Sequence, residues 1–218
     1  PRSIDFKKKK NFVSFFLSDG DNIQWMMQDF ASRYYDVPEA EDVKMTFGLP
    51  VATLAMMAPV QFNNLMGLQK QNCSLMEMLG GGYYYVDTYS QDHNRKTNLR
   101  VAAKRLAVSM RQYQIKLLGI MAMDVKSEAA KEAYQVYVDA NDQLEGIVVL
   151  QYSPYAGGEG EVFWVTNKAG YDIPVITVKY SLWDRIHERE GSPDFIASKL
   201  KEEAQEESFS VVCVHAWS

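Results

Sequence analysis

Short continuous apolar runs alternate with amphipathic segments along this chain, and that alternation limits its fold more than any other feature. Residues 11–17 (NFVSFFL) are aromatic and β-branched with no polar face, the pattern of a strand covered on both sides. Residues 44–49 (KMTFGL), 74–79, 116–123 and 146–151 (GIVVLQ) repeat it. Between them the period is helical. Residues 23–35 turn Trp25, Met26, Phe30 and Tyr34 to one side, and a helix starting near Pro59 carries Phe62, Leu65 and Met66. Residues 97–114 form a long basic helix with Leu99, Ala102, Ala103, Leu106 and Met110 inward, and residues 127–141 form another.

The rhythm changes after residue 151. Residues 161–166 and 174–181 flank a turn containing Asn167 and Gly170 and read as a hairpin. Ser192 opens a polar helix (SPDF) that runs to about residue 207, and residues 209–214 (FSVVCV) make the last strand. Strands alternating with helices predict a parallel sheet covered on both faces, open or closed. The count predicts an α/β, (β/α) barrel-like fold of about seven parallel strands with one extra hairpin strand. No linker or repeat divides the chain, so residues 1–218 read as one β/α domain. The chain stops four residues after its last predicted strand, where a covering helix is expected. The expectation is a domain cut from a longer protein.

Net charge is −5, which excludes a nucleic-acid footprint over the whole surface; the run Lys7 to Lys10 reads as a solvated lead-in. Cys73 and Cys213 are the only cysteines and no C-x-x-C occurs, so zinc-ribbon and thioredoxin-type motifs are excluded and both read as buried thiols. No apolar run approaches the roughly 20 residues that span a bilayer. The sequence opens on Pro1 without a methionine or a visible signal peptide, as a processed or trimmed product does.

Parallel β/α folds place catalytic groups beyond the carboxyl ends of their strands. Here those loops collect Asp19, Gly20, Asp21 and Asn22 after the first strand, a glycine run with Tyr83, Tyr84 and Tyr85 after the third, and Asp124 after the fourth. Tyr152 to Gly158 follow the fifth, Tyr180 and Trp183 the hairpin, and His215 and Trp217 the last. Each has a plainer reading. Asp21 or Asn22 caps the next helix, Asp124 competes with Ser127 for such a cap, His215 is a core histidine, and single tyrosines are packing. His93 and His187 sit among polar residues and read as solvated. Glu77 interrupts an apolar strand, and either faces a polar interior or marks an edge, as a reserve acid.

Glycines before tyrosines do not make a phosphate loop here, because neither the Walker pattern nor the dinucleotide fingerprint is present. They let the backbone present aromatic faces to a groove. A rim of Tyr and Trp beside carboxylates suits sugars, whose apolar faces stack on rings while their hydroxyls meet oxygens and amides.

In order along the chain, the motifs resemble the glycoside hydrolase family named after its signature GxGYxYxYP. The carrying residues are Ser18 to Asn22 with Gln24 and Trp25, then Gly80, Gly82, Tyr83 and Tyr85, then Tyr152 to Gly158, Phe163-Trp164, Tyr180 to Trp183, and Val214 to Ser218. The likeness runs from about residue 12 to the end. Asp87 and Thr88 replace the closing Tyr-Pro of the signature, and the resemblance implies further chain on both sides. It also implies a secreted, extracellular or periplasmic enzyme acting on a poly- or oligosaccharide.

Glycoside hydrolysis needs one carboxyl to protonate the leaving oxygen and another as base or nucleophile. Asp19 or Asp21 is the first choice for one, Asp124 for the other, with His215 a further catalytic candidate. Asn22, Trp25, Tyr83, Tyr85, Tyr152, Tyr155 and Trp217 are the expected substrate-binding residues. No cofactor or metal is expected. A metal-dependent polysaccharide deacetylase is the alternative enzyme, but the second loop (Gly48-Leu49-Pro50-Val51-Ala52) lacks the H-x-x-x-H pair of that chemistry. A non-catalytic glycan-binding domain is the third reading.

Overall fold

The computed structural model describes residues 11–18, 23–28, 30–38, 45–67, 73–78, 82–90, 93–152, 155–183, 190–204 and 208–216. Among these described residues nine strands form one sheet: β1 (Phe12–Ser18), β2 (Met45–Leu49), β3 (Cys73–Met78), β4 (Leu117–Ala122), β5 (Gly146–Gln151), β6 (Val162–Thr166), β7 (Asp172–Thr177), β8 (Tyr180–Leu182) and β9 (Phe209–His215). The helices are α1 (Ile23–Met26), the π-helical turn α2 (Ala31–Tyr35), α3 (Val51–Met57), α4 (Pro59–Gly67), α5 (Arg95–Gln112), α6 (Glu128–Ala140) and α7 (Pro193–Glu203).

Strand order is β6-β7-β5-β4-β3-β2-β1-β9-β8, and every pairing is parallel except the β6–β7 hairpin. Laid flat, such a sheet would hold β5 and β9 roughly 24 Å apart, five strand spacings. Instead Tyr155, just beyond β5, lies with its ring centroid 6.0 Å from that of His215 on β9. The sheet is therefore curled into a half-barrel. The expected α/β class holds, and the hydrogen-bonded order leaves β6 and β8 as edges. The expected single strand 174–181 is two: Val178 N–H donates to Val149 O on β5, and the next amide, Lys179, donates to Val211 O on β9. One chain segment thus changes partner in mid-course, which breaks its ladder.

Alternate side chains of the central strands feed two different cores. Leu17, Leu75, Ile120 and Val149 pack outward under the helices, while Phe16, Met76, Met121 and Leu150, each one residue away, join Met78, Val178, Val211 and Cys213 inside the curl. Both faces are apolar, which is why the strands read as unbroken apolar runs. Cys213 is buried there, as expected of a structural thiol; burial pushes its pKa up. Flexible thioethers fill the inner layer, and Gly119 makes room for them: a Cβ built on it falls 2.1 Å from Met78 Sδ.

Three local features depart from the sequence reading. Residues 23–35 do not form one helix. Asp36 N–H reaches back to Ala31 O, and the wider turn swings Tyr35, 0% exposed, into the core beside Phe30. Residues 51–57 form a helix ahead of the one expected from Pro59. Glu77 faces neither a polar interior nor an edge; it is buried on the outer side of central β3, where its Oε2 accepts from Ala52 N–H at 2.8 Å in the first turn of α3. No helix among the described residues is long and apolar enough to cross a membrane.

Candidate functional site at the carboxyl ends of the strands

The loop after β3 is pinned before it reaches α5. Tyr85 forms a parallel bridge with Met121, and Val86 N–H donates to Met121 O at 2.8 Å. The Arg95 guanidinium, from the first turn of α5, donates to Val86 O (2.6 Å), Ala129 O (2.9 Å) and the Glu132 carboxylate (2.6 Å). Extended backbone alternates its side chains, so three consecutive tyrosines divide. Tyr84 turns to the outer core, packs on Tyr89 and shares a hydrogen bond with the Tyr137 hydroxyl. Burial pushes its pKa up to about 12. Tyr83 and Tyr85 stay on the rim with ring centroids 5.9 Å apart.

Asp87, which stands where the signature has its last tyrosine, accepts from Met123 N–H (3.0 Å) and Asp124 N–H (2.8 Å) and clamps the loop after β4. Asp124 is exposed, and its Oδ1 accepts from Lys126 N–H at 2.9 Å in a local turn. The cap of α6 belongs to Ser127, whose Oγ accepts from Ala130 N–H.

The loop after β5 is folded back on the sheet. Gly158 passes so close to β7 that a Cβ there would fall 2.3 Å from Thr177 Cβ, and the Thr177 hydroxyl donates to Gly158 O at 2.8 Å. This loop holds Tyr155 at φ +73°, in the left-handed region that side chains other than glycine rarely occupy.

The result is an unbroken arc of rings. Tyr85 meets Tyr152 at 5.1 Å, Tyr152 meets Tyr155 at 6.0 Å, and Tyr155 meets Trp183 at 5.3 Å. Trp183 stacks on His215 at 4.8 Å with 18° between the planes. Tyr83 and Tyr152 are the most open of the rings, 51% and 40% exposed. Burial, then the neighbouring Tyr83 hydroxyl, raises the Tyr85 pKa, so this phenol stays protonated and can exchange hydrogen bonds with a hydroxylated ligand.

Of the expected site residues, Tyr83, Tyr85, Tyr152, Tyr155 and His215 meet in this arc. Asp124 lies on the adjoining loop. Trp25 does not join them: it is 7% exposed in the outer core, edge-on to Phe30 and Tyr34. Asp19, Asp21, Asn22 and Trp217 lie outside the described residues. Ser18, the residue before Asp19, is register-paired with His215. Tyr180 leaves the rim altogether. Its hydroxyl donates to Glu203, which also takes Lys179 (2.9 Å) and Ser210 (3.2 Å) and ties α7 to the sheet. Trp183 and Asp87 were not among the expected ligand-facing residues. The motif around Trp183 and the substitution at Asp87 were the signals available for them. Among the described residues no three His, Cys, Asp or Glu side chains are grouped to hold a metal.

Among solved structures, the chain is similar to a putative hydrolase from Bacteroides thetaiotaomicron VPI-5482, with TM-score 0.81 and 17% sequence identity. The likeness covers 100% of this chain and 41% of that one, so the present chain spans less than half of its neighbour. At that identity the likeness establishes the fold. No curated protein sequence matches. Residues 9–218 match the family described as GxGYxYP putative glycoside hydrolase C-terminal domain, and the chain belongs to that family.

Proposed function

We propose that this domain is carbohydrate-active, of glycoside hydrolase type, and binds an oligo- or polysaccharide along the aromatic arc. The arc carries the reading. A run of contacting rings from Tyr83 to Trp183, open to solvent at Tyr83 and Tyr152, offers apolar faces to sugars and phenolic hydroxyls to their hydroxyl groups. Family membership and the hydrolase-like fold agree with it.

In this reading the curl of the sheet extends to a seven-stranded barrel, with β7 and β8 acting as one kinked stave between β5 and β9. Asp19 or Asp21 acts as one carboxyl and Asp124 as the other, one protonating the leaving oxygen and the other activating water or attacking the anomeric carbon. His215, beside the first strand end, supplies a polar edge to the stacked Trp183. Hydrolysis of a panel of glycans by the chain and by Asp19→Asn and Asp124→Asn variants tests this. The expected result is a loss of turnover of about 10²–10⁴-fold with binding retained. Equal turnover in both variants would reject the assignment of the carboxyls.

One observation favours a second reading, glycan binding without hydrolysis. Two of the carboxylates on the strand-end loops, Asp87 and Asp124, both accept backbone N–H groups, Asp87 clamping the loop after β4 and Asp124 closing a local turn. Under that reading both variants bind as the parent does and no glycan in the panel is cleaved.

A further inference from the structure

The outer surface carries a second feature that the rim does not use. Helix α5 holds six cations, Arg95, Lys96, Arg100, Lys104, Arg105 and Arg111, and no carboxylate, in a chain whose net charge is −5. Like charges four residues apart destabilise a helix by a few tenths of a kcal/mol each. Two of them serve the fold, Arg95 through Val86 O, Ala129 O and Glu132, and Arg111 through Ala140 O at 3.2 Å, while the buried face of α5 is made by Leu99, Ala103, Leu106, Ala107 and Met110 and leaves Arg100 and Lys104 exposed.

Lys96, Arg100 and Lys104 occupy successive turns, about 6 Å apart along the axis. They line one side of a cleft of about 390 Å³ between α5 and α6, and Lys168, from the β6–β7 turn, lines it too. Two carboxylates share the lining, and both are engaged. Glu132 takes Arg95 at 2.6 Å and Lys96 at 2.9 Å, and the Lys96 hydrogen bond holds its carboxyl below the usual range. Asp139 accepts from the Gln135 amide at 2.9 Å. Arg100, Lys104 and Lys168 make no ion pair or hydrogen bond among the described residues. The lining thus carries four cations, Lys96, Arg100, Lys104 and Lys168, against the two carboxylates Glu132 and Asp139, a net positive concave surface on which Arg100 reaches Glu132 only through space. In the same turn as Lys168 stands Tyr171, 69% exposed and fixed by its backbone N–H to Asn167 Oδ1 at 2.9 Å.

We propose that this cleft binds a segment of acidic polysaccharide, its anionic groups meeting Arg100, Lys104 and Lys168 and a sugar face meeting Tyr171. The spacing of the cations suits a linear polyanion, and the exposed ring of Tyr171, three residues from Lys168 in the same turn, offers a sugar a face outside the cleft lining. The site is separate from the aromatic arc, so it stands whether or not the arc hydrolyses anything.

Titration calorimetry with dextran sulfate and with uncharged dextran, at two salt concentrations, tests the proposal on the whole chain. Dextran sulfate is expected to bind more weakly as salt rises, and the exposed double variant Arg100→Glu/Lys104→Glu to lose about tenfold or more in affinity. Arg100→Lys/Lys104→Arg, which keeps both charges, is expected to retain binding. Lys199→Glu, a charge reversal on α7 outside both the cleft and the arc, is expected to leave dextran sulfate affinity unchanged. Thermal melting shows whether the charge-reversed variant is folded; if it is not, single Lys168→Glu carries the same expectation. Unchanged affinity in a folded charge-reversed variant overturns the proposal. So does duplex DNA binding as tightly as dextran sulfate, which would make the face a general polyanion surface. Self-association of the parent that the reversal abolishes, without dextran sulfate binding, would make it an interface between copies of the chain and overturn it equally.

Discussion

The indole of Trp183 lies parallel to the imidazole of His215, 4.8 Å between centroids, although Trp183 follows β8, His215 ends β9 and α7 separates the two in the chain. β8 and β9 are adjacent and parallel, with Leu182 opposite Val214, so Trp183, the next residue after β8, comes level with His215, the last of β9. Trp183 is then held by its own N–H to Gly191 O at 3.2 Å. The stack closes one end of the aromatic arc.

Removing that end separates binding from folding. Trp183→Ala takes away a partly exposed ring that also contacts Tyr155, and the expected loss is about 1–2 kcal/mol of oligosaccharide affinity, or roughly tenfold. Trp183→Phe keeps a ring in place and is expected to retain most of it. Titration calorimetry on the parent and both variants decides the matter. Equal affinity in all three would take Trp183 out of the binding surface.

Tyr155 gives a prediction that runs against the ordinary rule. Alanine usually stabilises a backbone position relative to glycine because glycine loses more freedom on folding. At φ +73° the order reverses, since a Cβ there crowds the following carbonyl at a cost of about 1–2 kcal/mol. Both Tyr155→Ala and Tyr155→Gly lose the ring, so their difference isolates the backbone. Urea unfolding should find the glycine variant more stable than the alanine variant by about 1 kcal/mol. The opposite order would mean that the loop relaxes out of this conformation.

These relationships differ in how far the sequence discloses them. The strands were legible because both their faces are apolar: Ile120 goes to the outer core and Met121 to the inner one, and the pair reads as one continuous run. The division of Tyr83 and Tyr85 from Tyr84 follows from a period of two once the segment is known to be extended. Helix α3 was not legible. It has no polar residue to mark its start, because the cap is Glu77, a side chain from a strand that comes later in the chain. The partition of the rim was hidden for a similar reason. Tyr180 and Trp183 stand three residues apart in one motif, yet the bond to Glu203 draws Tyr180 outward while Trp183 stays in the arc.

The inner core predicts its own sensitivity. A methyl group on Gly119 would overlap Met78 Sδ at 2.1 Å and lie 3.0 Å from Met76 Cε. Gly119→Ala should therefore destabilise by about 1–3 kcal/mol. Met78→Ala opens that space and costs about 2–5 kcal/mol alone. The double variant should cost less than the two single changes added together, since the new methyl occupies part of the vacated volume. Thermal melting of the four proteins measures the coupling, and strict additivity would show that Met78 does not sit over Gly119.

Glu77 sets a pH dependence whose direction follows from its surroundings. Burial raises its pKa from 4.5 to about 8 against two backbone N–H groups, of Ala52 and Val51, that favour the ionised form. The second oxygen, Oε1, has no hydrogen-bond partner among the described residues. The folded chain therefore prefers the protonated carboxyl, whereas the unfolded chain ionises it from about pH 4.5 upward. This group contributes no pH dependence below about 4.5. From there stability falls as pH rises, by up to about 1.4 kcal/mol per unit, and it levels off above about 8. Glu77→Gln keeps an acceptor for Ala52 N–H and cannot ionise. Its unfolding free energy should match the parent's dependence near pH 4.5 and exceed the parent's increasingly toward pH 8. Urea unfolding of both proteins across that range measures the gap; a gap that is constant with pH would mean that Glu77 is ionised in the folded chain throughout.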